Sequence, residues 1–434
     1  MEGPLKVIGA GLAGCEAAWQ AAQRGVPVRL IDMKPGKLSP AHKLGSFAEL
    51  VCSNSLRSDS VENAVGLLKE EMRRMGSLIM LCADETRVPA GGALAVDRLG
   101  FSALVTEKIR SHPLITMEEE EIVSIPEAPC IIATGPLTDG PLLEDIESVT
   151  GAALHFHDAA APIVTKDSLD MTKVFECSRY GRGSDYLNCP MNAEEYFRFV
   201  RELVNAETVP LHEFETPKVF EGCMPVEVMA KRGERTLAFG PLKPVGLIDP
   251  NTGRQPFAVV QLRRDDKEGR LYNIVGFQTN LRFAEQKRVF GMIPGLENAE
   301  FVRYGVMHRN SYMDSPKKLT EWFELSSRPG LFFAGQLTGV EGYVESAASG
   351  LIAGVMAAKR VLGKEPSALG AVTAAGALGH YVSTYNGFDF QPMNVTFGIM
   401  EPLPEAPKNK RMRAAAMAER ALCRIDELKN EGVI

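Results

Sequence analysis

One short stretch constrains the fold more than any other. Leu5-Lys6-Val7-Ile8 reads as a buried strand, and Gly9-Ala10-Gly11-Leu12-Ala13-Gly14 follows it directly. Cys15 to Arg24 then carries a small-residue helical face (Ala17, Ala18, Ala21, Ala22). Gly25 ends that helix, and Val26 to Ile31 predicts a second strand closing on Asp32. The order is strand, Gly-x-Gly-x-x-Gly, helix, strand, acid. In such a unit Gly9 serves the tight turn, Gly11 lets a pyrophosphate approach the backbone, and Gly14 lets the helix pack on the strand. Free N–H groups and the positive dipole end at the helix start suit phosphates. Asp32 falls where a carboxylate meets a ribose hydroxyl.

A chain of 434 residues is expected to form more than one domain. It has 45% hydrophobic and 24% charged residues, an ordinary globular composition. No apolar run is long enough for a bilayer, and the N-terminus lacks a secretion-signal pattern. The eight cysteines are scattered, with no Cys-x-x-Cys and no zinc spacing. A reduced, cytoplasmic enzyme without metal or membrane attachment is expected. Lys plus Arg is 48 against 55 for Asp plus Glu, a net charge of -7. That argues against indiscriminate nucleic-acid binding but allows a local basic face.

Further along, Val61 to Met75 and Phe101 to Ser111 have helical periodicity, and Glu118 to Glu121 reads as a solvated acidic run. Cys130 to Gly135 predicts a buried strand ending beside a nucleotide. From about Thr150 the α/β alternation gives way to a mixed region. There His155 to Val164 reads as strand and Asn192 to Val204 as a helix capped by Asn192. Ala258 to Arg263 and Tyr272 to Gln278 read as paired strands. The nucleotide signature returns at Gly330 to Gly335, followed by Gln336-Leu337-Thr338-Gly339-Val340-Glu341-Gly342-Tyr343 and a small-residue helix, Val344 to Leu362. Asn409 to Leu428 is helical. The first and last thirds are therefore expected to build one domain around a middle insertion.

Three stretches then carry a resemblance: Val51-Cys52-Ser53-Asn54-Ser55-Leu56-Arg57, Phe220-Glu221-Gly222-Cys223-Met224-Pro225-Val226-Glu227, and Gly335 to Tyr343. With the N-terminal fingerprint they resemble the bacterial folate- and FAD-dependent tRNA (uracil-5-)-methyltransferases, and the likeness extends to His308-Arg309-Asn310-Ser311-Tyr312 and Gly387 to Asn394. One departure is Asp32, where that family often has Glu.

The resemblance implies an α/β fold: an FAD-binding Rossmann-type domain split in sequence (1–150 and 320–434), an inserted mixed α/β domain (151–319), and a helical C-terminal segment. It implies C5-methylation of a T-loop uridine on the T arm of tRNA. The carbon would come from 5,10-methylenetetrahydrofolate, reduced FAD would supply electrons and carry the methylene, and NADPH or NADH would be the reductant. FAD would be held by Gly9, Ala10, Gly11, Leu12, Ala13, Gly14, Asp32, Gly335, Gln336, Gly342 and Tyr343. Uracil C5 is a poor nucleophile until a thiolate adds at C6, so the reaction needs a nucleophilic thiol and a proton acceptor. On the family pattern Cys223 is the nucleophile, and Cys52 is the general base or a thiol on the flavin side. Arg57, Arg282, Lys287, Arg288, His308 and Arg309 are candidates for cofactor, folate or tRNA phosphates, and Glu341 and Glu345 stand near the flavin. A monomer is favoured over an oligomer.

Two alternatives remain at this level. One is a related flavoprotein that modifies the wobble uridine with a partner GTPase. That family usually carries a long C-terminal helical extension, for which this chain leaves little room. The other is a flavin oxidoreductase acting on a small molecule.

Overall fold

The computed structural model describes residues 3–151, 153–181, 183–210 and 224–434. A five-stranded parallel sheet forms the centre, in the order Leu331–Phe333, Cys130–Ile132, Leu5–Ile8, Val28–Asp32, Ile115–Glu119. The late strand pairs directly with Cys130–Ile132, so both ends of the chain build one sheet. The inner strands Cys130–Ile132 and Leu5–Ile8, with the late strand Leu331–Phe333, are short and largely apolar and buried, as parallel strands are, whereas the edge strand Ile115–Glu119 exposes Thr116 and Glu119. The fingerprint helix, Leu12–Gln23, packs against the late helix Tyr343–Val361. Their backbones touch: a Cβ at Gly350 would lie 2.2 Å from the Ala13 carbonyl oxygen, and one at Gly354 would lie 2.5 Å from that of Ala17. The small-residue stripes of the two helices are one interface.

The middle region forms a second, six-stranded sheet. Its order is Phe175–Glu176, Tyr186–Met191, Ala258–Arg264, Leu271–Ile274, Ile163–Thr165, Phe301–Arg303, all antiparallel. Helix Ala193–Asn205 covers it with Tyr196, Phe199, Val200 and Leu203. Asn192 and Glu195 close a reciprocal capping box at its start. This sheet has its own apolar core, separate from that of the parallel sheet. A two-stranded ribbon, Leu154–Ala159 with Met307–Tyr312, runs between the two sheets.

Two expectations change in detail. The run from His155 to Val164 is not one strand: it divides into Leu154–Ala159 and Ile163–Thr165, which belong to different sheets. Pro162 stands at the break, and proline has no N–H to offer a ladder. The acidic run is solvated at Glu119 to Glu121, as expected, while Glu118 is half-buried. Glu118 makes a bidentate pair with Arg29 across the sheet, and Glu120 and Glu121 stand at the rim of the cleft described below.

At the C-terminal end, helix Ala374–Thr384 starts on the buried Glu71 carboxylate, which accepts the N–H groups of Ala374 and Ala375. Helix Lys410–Asn430 is capped by Asn409 and tied to the helix Ala64–Arg74 through Arg74 and Asp426 at 2.6 Å. Among the described residues no helix is long and apolar enough to cross a membrane, and no cluster has the makings of a metal site.

Candidate active site

A cleft of about 1420 Å³, counted out to its open mouth, lies at the carboxyl ends of the parallel strands. Ligands of open α/β sheets bind at that edge. Its wall includes Gly9, Gly11, Leu12, Ala13, Asp32, Gly335, Gln336, Tyr343 and Cys52. Ala10, Gly14 and Gly342 are not part of its lining.

The three glycines of the fingerprint have different surroundings. Gly9 has φ +101°, and a Cβ there would lie 2.5 Å from the Ala133 carbonyl oxygen. A Cβ at Gly14 would lie 1.7 Å from the carbonyl oxygen of Gly9. At Gly11 a Cβ would meet no protein atom within 4 Å. Gly9 and Gly14 are thus required by the protein itself. The space over Gly11 opens on the N-terminus of the first helix and fits a bound pyrophosphate. Asp32 accepts the Ala10 N–H at 2.5 Å and the Lys34 N–H at 2.8 Å, so its carboxylate braces the fingerprint loop at the cleft edge.

The second glycine run is held as firmly. The Gly335 N–H donates to Ser349 Oγ at 2.8 Å, and Gln336 donates to Glu341 at 2.9 Å. Glu345 is fully buried; it pairs with Arg57 and accepts the Val395 N–H. Asn394 donates to the Glu341 carbonyl at 2.6 Å, so the Gly387 to Asn394 stretch latches this run in place.

The loop bearing Cys52 is clamped from three sides. The Tyr343 hydroxyl accepts the N–H of Cys52 at 2.6 Å and of Ser53 at 3.2 Å. Burial, reinforced by the nearby Cys52 sulfur, raises the Tyr343 phenol well above its ordinary range and keeps it protonated. From the middle sheet, Arg263 donates to Asn54 at 3.0 Å and to Ser53 at 2.7 Å, while Asn54 donates to the carbonyls of Val96 and Arg264. Third, Arg98 donates to the Leu50 carbonyl and forms a bidentate buried pair with Asp265 at 3.0 and 2.9 Å. Burial works against the Arg98 charge, but Asp265 overrides it and the guanidinium stays ionised. Arg303 is 8% exposed; burial and then Arg98 lower it, while Tyr343 and Cys52 favour its charge. A thiolate at Cys52 would therefore face two buried cations.

Cys223 lies outside the described residues. His308 lines the cleft, whereas Arg282 pairs with Glu207 and Arg288 with Glu202 and Glu285. Arg98, Arg303 and His42 were not legible as site residues. Arg98 looks like a surface charge at a helix start until Asp265 is brought to it from the other sheet.

His42 also lines the cleft and bonds to Ser39 at 2.6 Å. Burial, then Lys34, pushes it down to about 4; Glu49 and Asp32 act the other way and Arg303 with Lys34. The unfolded chain takes this proton near pH 6.5, so stability is full above that pH and declines from there to about pH 4. His42→Asn is expected to flatten this part of the melting-temperature profile; an unchanged acid slope would refute the assignment.

The comparisons with known proteins agree with this geometry. The family described as glucose inhibited division protein A matches residues 4–365. The solved structure of Aquifex aeolicus GidA superposes with a TM-score of 0.68 at 16% identity, over 99% of this chain and 79% of that one. Fold and cleft together define a dinucleotide-binding α/β protein of the glucose inhibited division protein A class. Within that class, a Heliobacterium modesticaldum protein named methylenetetrahydrofolate--tRNA-(uracil-5-)-methyltransferase TrmFO is 61% identical over 433 residues, 99% of both chains. A protein of the same name from Enterococcus faecalis is 59% identical over 420 residues, 96% of this chain and 97% of that one. The chain belongs to this TrmFO family.

Proposed function

We propose that the protein methylates C5 of a T-arm uridine in tRNA, using 5,10-methylenetetrahydrofolate, FAD and NADPH or NADH. The observation that carries this reading is that the Cys52 loop forms part of the same cleft wall as the glycine fingerprint, with the Tyr343 hydroxyl on its backbone. FAD, when bound, supplies the two electrons and the means of passing on the one-carbon unit. The fingerprint loop and first helix would take its pyrophosphate, Asp32 its ribose, and Gly335, Gln336 and Tyr343 the far side. Cys223 would add to uracil C6. Cys52 would take the C5 proton, or act as a thiol beside the flavin. Arg98 and Arg303 place two buried positive charges near Cys52. The separate cores of the two sheets support a discontinuous FAD-binding domain, 1–150 and 320–434, around an insertion at 151–319.

The test is direct. Purified protein is incubated with unmodified tRNA, NADPH and methylenetetrahydrofolate, and the tRNA is digested. Ribothymidine is expected, and Cys52→Ala and Cys223→Ala are each expected to abolish it while keeping bound flavin. Untouched tRNA alongside oxidation of a small molecule would overturn the proposal.

A further inference from the structure

Arg303 is the last residue of the edge strand Phe301–Arg303 and is 8% exposed. Its Nε is sealed from solvent without a hydrogen-bond partner, and among the described residues no carboxylate pairs with the side chain. Arginines buried to this degree are normally paired, and a buried charge left alone is costly. The carboxylate that bears on it, Glu49, accepts the N–H groups of Lys43 and Leu44, each at 3.0 Å, and forms no ion pair with it. Its cationic neighbour Arg98 is already matched by Asp265. Arg303 therefore carries a positive charge that no described residue balances directly.

The surroundings place this charge at the cleft. Cys52, Tyr343 and Glu49 lie within electrostatic reach of Arg303, and so do His42 and His308; all five line the cleft. His308 Nε2 is a second buried polar atom there with no hydrogen-bond partner. Burial, then Arg303, lowers the pKa of His308, so its imidazole is neutral near pH 7 and adds no cation. The turn between the two residues is fixed. Gln286 donates to the Gly305 carbonyl at 2.8 Å and accepts the Gly305 N–H at 2.8 Å, and the Ala160 N–H donates to the Val306 carbonyl at 2.8 Å. With the pyrophosphate of FAD over Gly11 and its ribose at Asp32, the flavin ring is directed to the part of the cleft walled by Cys52, Tyr343 and His308.

We propose that the Arg303 guanidinium balances the negative charge that the flavin ring takes up on reduction. The proposal rests on the reading of the cleft as an FAD site, and not on the identity of the RNA. A reduced flavin readily gives up its N1 proton, and the resulting charge spreads over N1 and the C2 carbonyl. Charge placed by the protein near the ring tunes this equilibrium, and in a water-poor site a single fixed cation acts strongly. The cost of an unpaired buried arginine is then offset when the ring is anionic.

The test uses sulfite as the probe, on the intact chain carrying FAD. The sulfur lone pair bonds to flavin N5, and the electron pair displaced from the N5=C4a bond leaves negative charge at N1 and the C2 carbonyl, with no proton or further electron required. Bleaching of the visible flavin band gives the Kd. The parent is compared with Arg303→Met, Arg303→Gln and Arg303→Lys. Both neutral variants are expected to keep their flavin and to melt no lower than the parent, because an unpaired buried charge has been removed. They are expected to bind sulfite about tenfold more weakly, with Arg303→Lys closer to the parent than to them. Equilibration with a reference dye reads the same charge without an anionic probe, and the neutral variants should be harder to reduce. Parental sulfite affinity in the neutral variants overturns the proposal, as does a parent that holds flavin but forms no adduct. A sulfite effect without a change in reduction also overturns it, since Arg303 would then merely attract the probe. So does an Arg303→Lys variant as weak as the neutral ones, or loss of flavin or folding in both neutral variants. A parent without flavin absorbance sinks the FAD reading itself, whereas a yellow parent with unaffected variants sinks only the role of Arg303.

Discussion

Gly11→Val is expected to yield a folded protein with little flavin, and Gly14→Val to yield no folded protein at all. Both replace one fingerprint glycine with the same side chain, so the contrast isolates what each glycine does. Gly11 has φ -77° and ψ -170°, an extended conformation open to any residue, and a Cβ there has no neighbour within 4 Å. The side chain would occupy the space over the first helix's free N–H groups. Losing two charge-assisted hydrogen bonds of about 1.5 kcal/mol each weakens flavin binding roughly a hundredfold. At Gly14 the Cβ would lie 1.7 Å from the Gly9 carbonyl oxygen and 2.9 Å from its carbon. Backbone on both sides cannot yield without parting helix from strand, a cost above the ~1–3 kcal/mol of ordinary overpacking. Flavin content per folded protein, read from the visible spectrum and the far-ultraviolet circular dichroism, separates the cases. Wild-type flavin content in Gly11→Val would mean that no pyrophosphate lies over that residue.

Arg98→Met should be the most destabilising single change away from the glycines. The Arg98–Asp265 pair is almost fully buried, with side-chain exposures of 7% and 4%. Removing one partner leaves the other charge uncompensated, which costs about 3–5 kcal/mol. Arg98→Lys is not expected to rescue it, because an ammonium cannot hold both Asp265 oxygens and the Leu50 carbonyl together. Arg98→Met combined with Asp265→Leu should recover much of the loss, since a well-packed apolar pair can replace a buried ion pair. The measurement is the urea midpoint at constant slope. A loss below about 1 kcal/mol in Arg98→Met would show that the pair is not held as described. The same variants connect stability to chemistry: the Leu50 contact reaches the Cys52 loop, so methylation should fall further than the folded fraction does.

The history of Asn54 illustrates how far the sequence could be followed. It sits in Val51 to Arg57, a stretch singled out for Cys52. Its side chain instead joins the carbonyls of Val96 and Arg264 and accepts from Arg263, stitching the cysteine loop to the second sheet. Nothing local signals this, because its partners are far along the chain. The late glycine run was legible because it repeats a local pattern of apolar strand, glycines and small-residue helix. Phe283 and Tyr304, by contrast, read as two unrelated aromatics until the fold laid one ring on the other.

By itself the sequence determined the parts whose causes are local. These are the strand–glycine–helix–strand–acid unit, the small-residue faces of two helices, the cap at Asn192, and the recurrence of the nucleotide signature near the C-terminus. Each follows from backbone sterics, side-chain periodicity or hydrogen bonds spanning a few residues. Only the tertiary structure decided which distant groups meet: Arg98 with Asp265, Tyr343 with the backbone of Cys52, Arg263 with Asn54, and Phe283 with Tyr304. Those meetings depend on how two separately cored sheets face each other. That arrangement is set by burial and charge compensation over the whole chain, which no short stretch encodes.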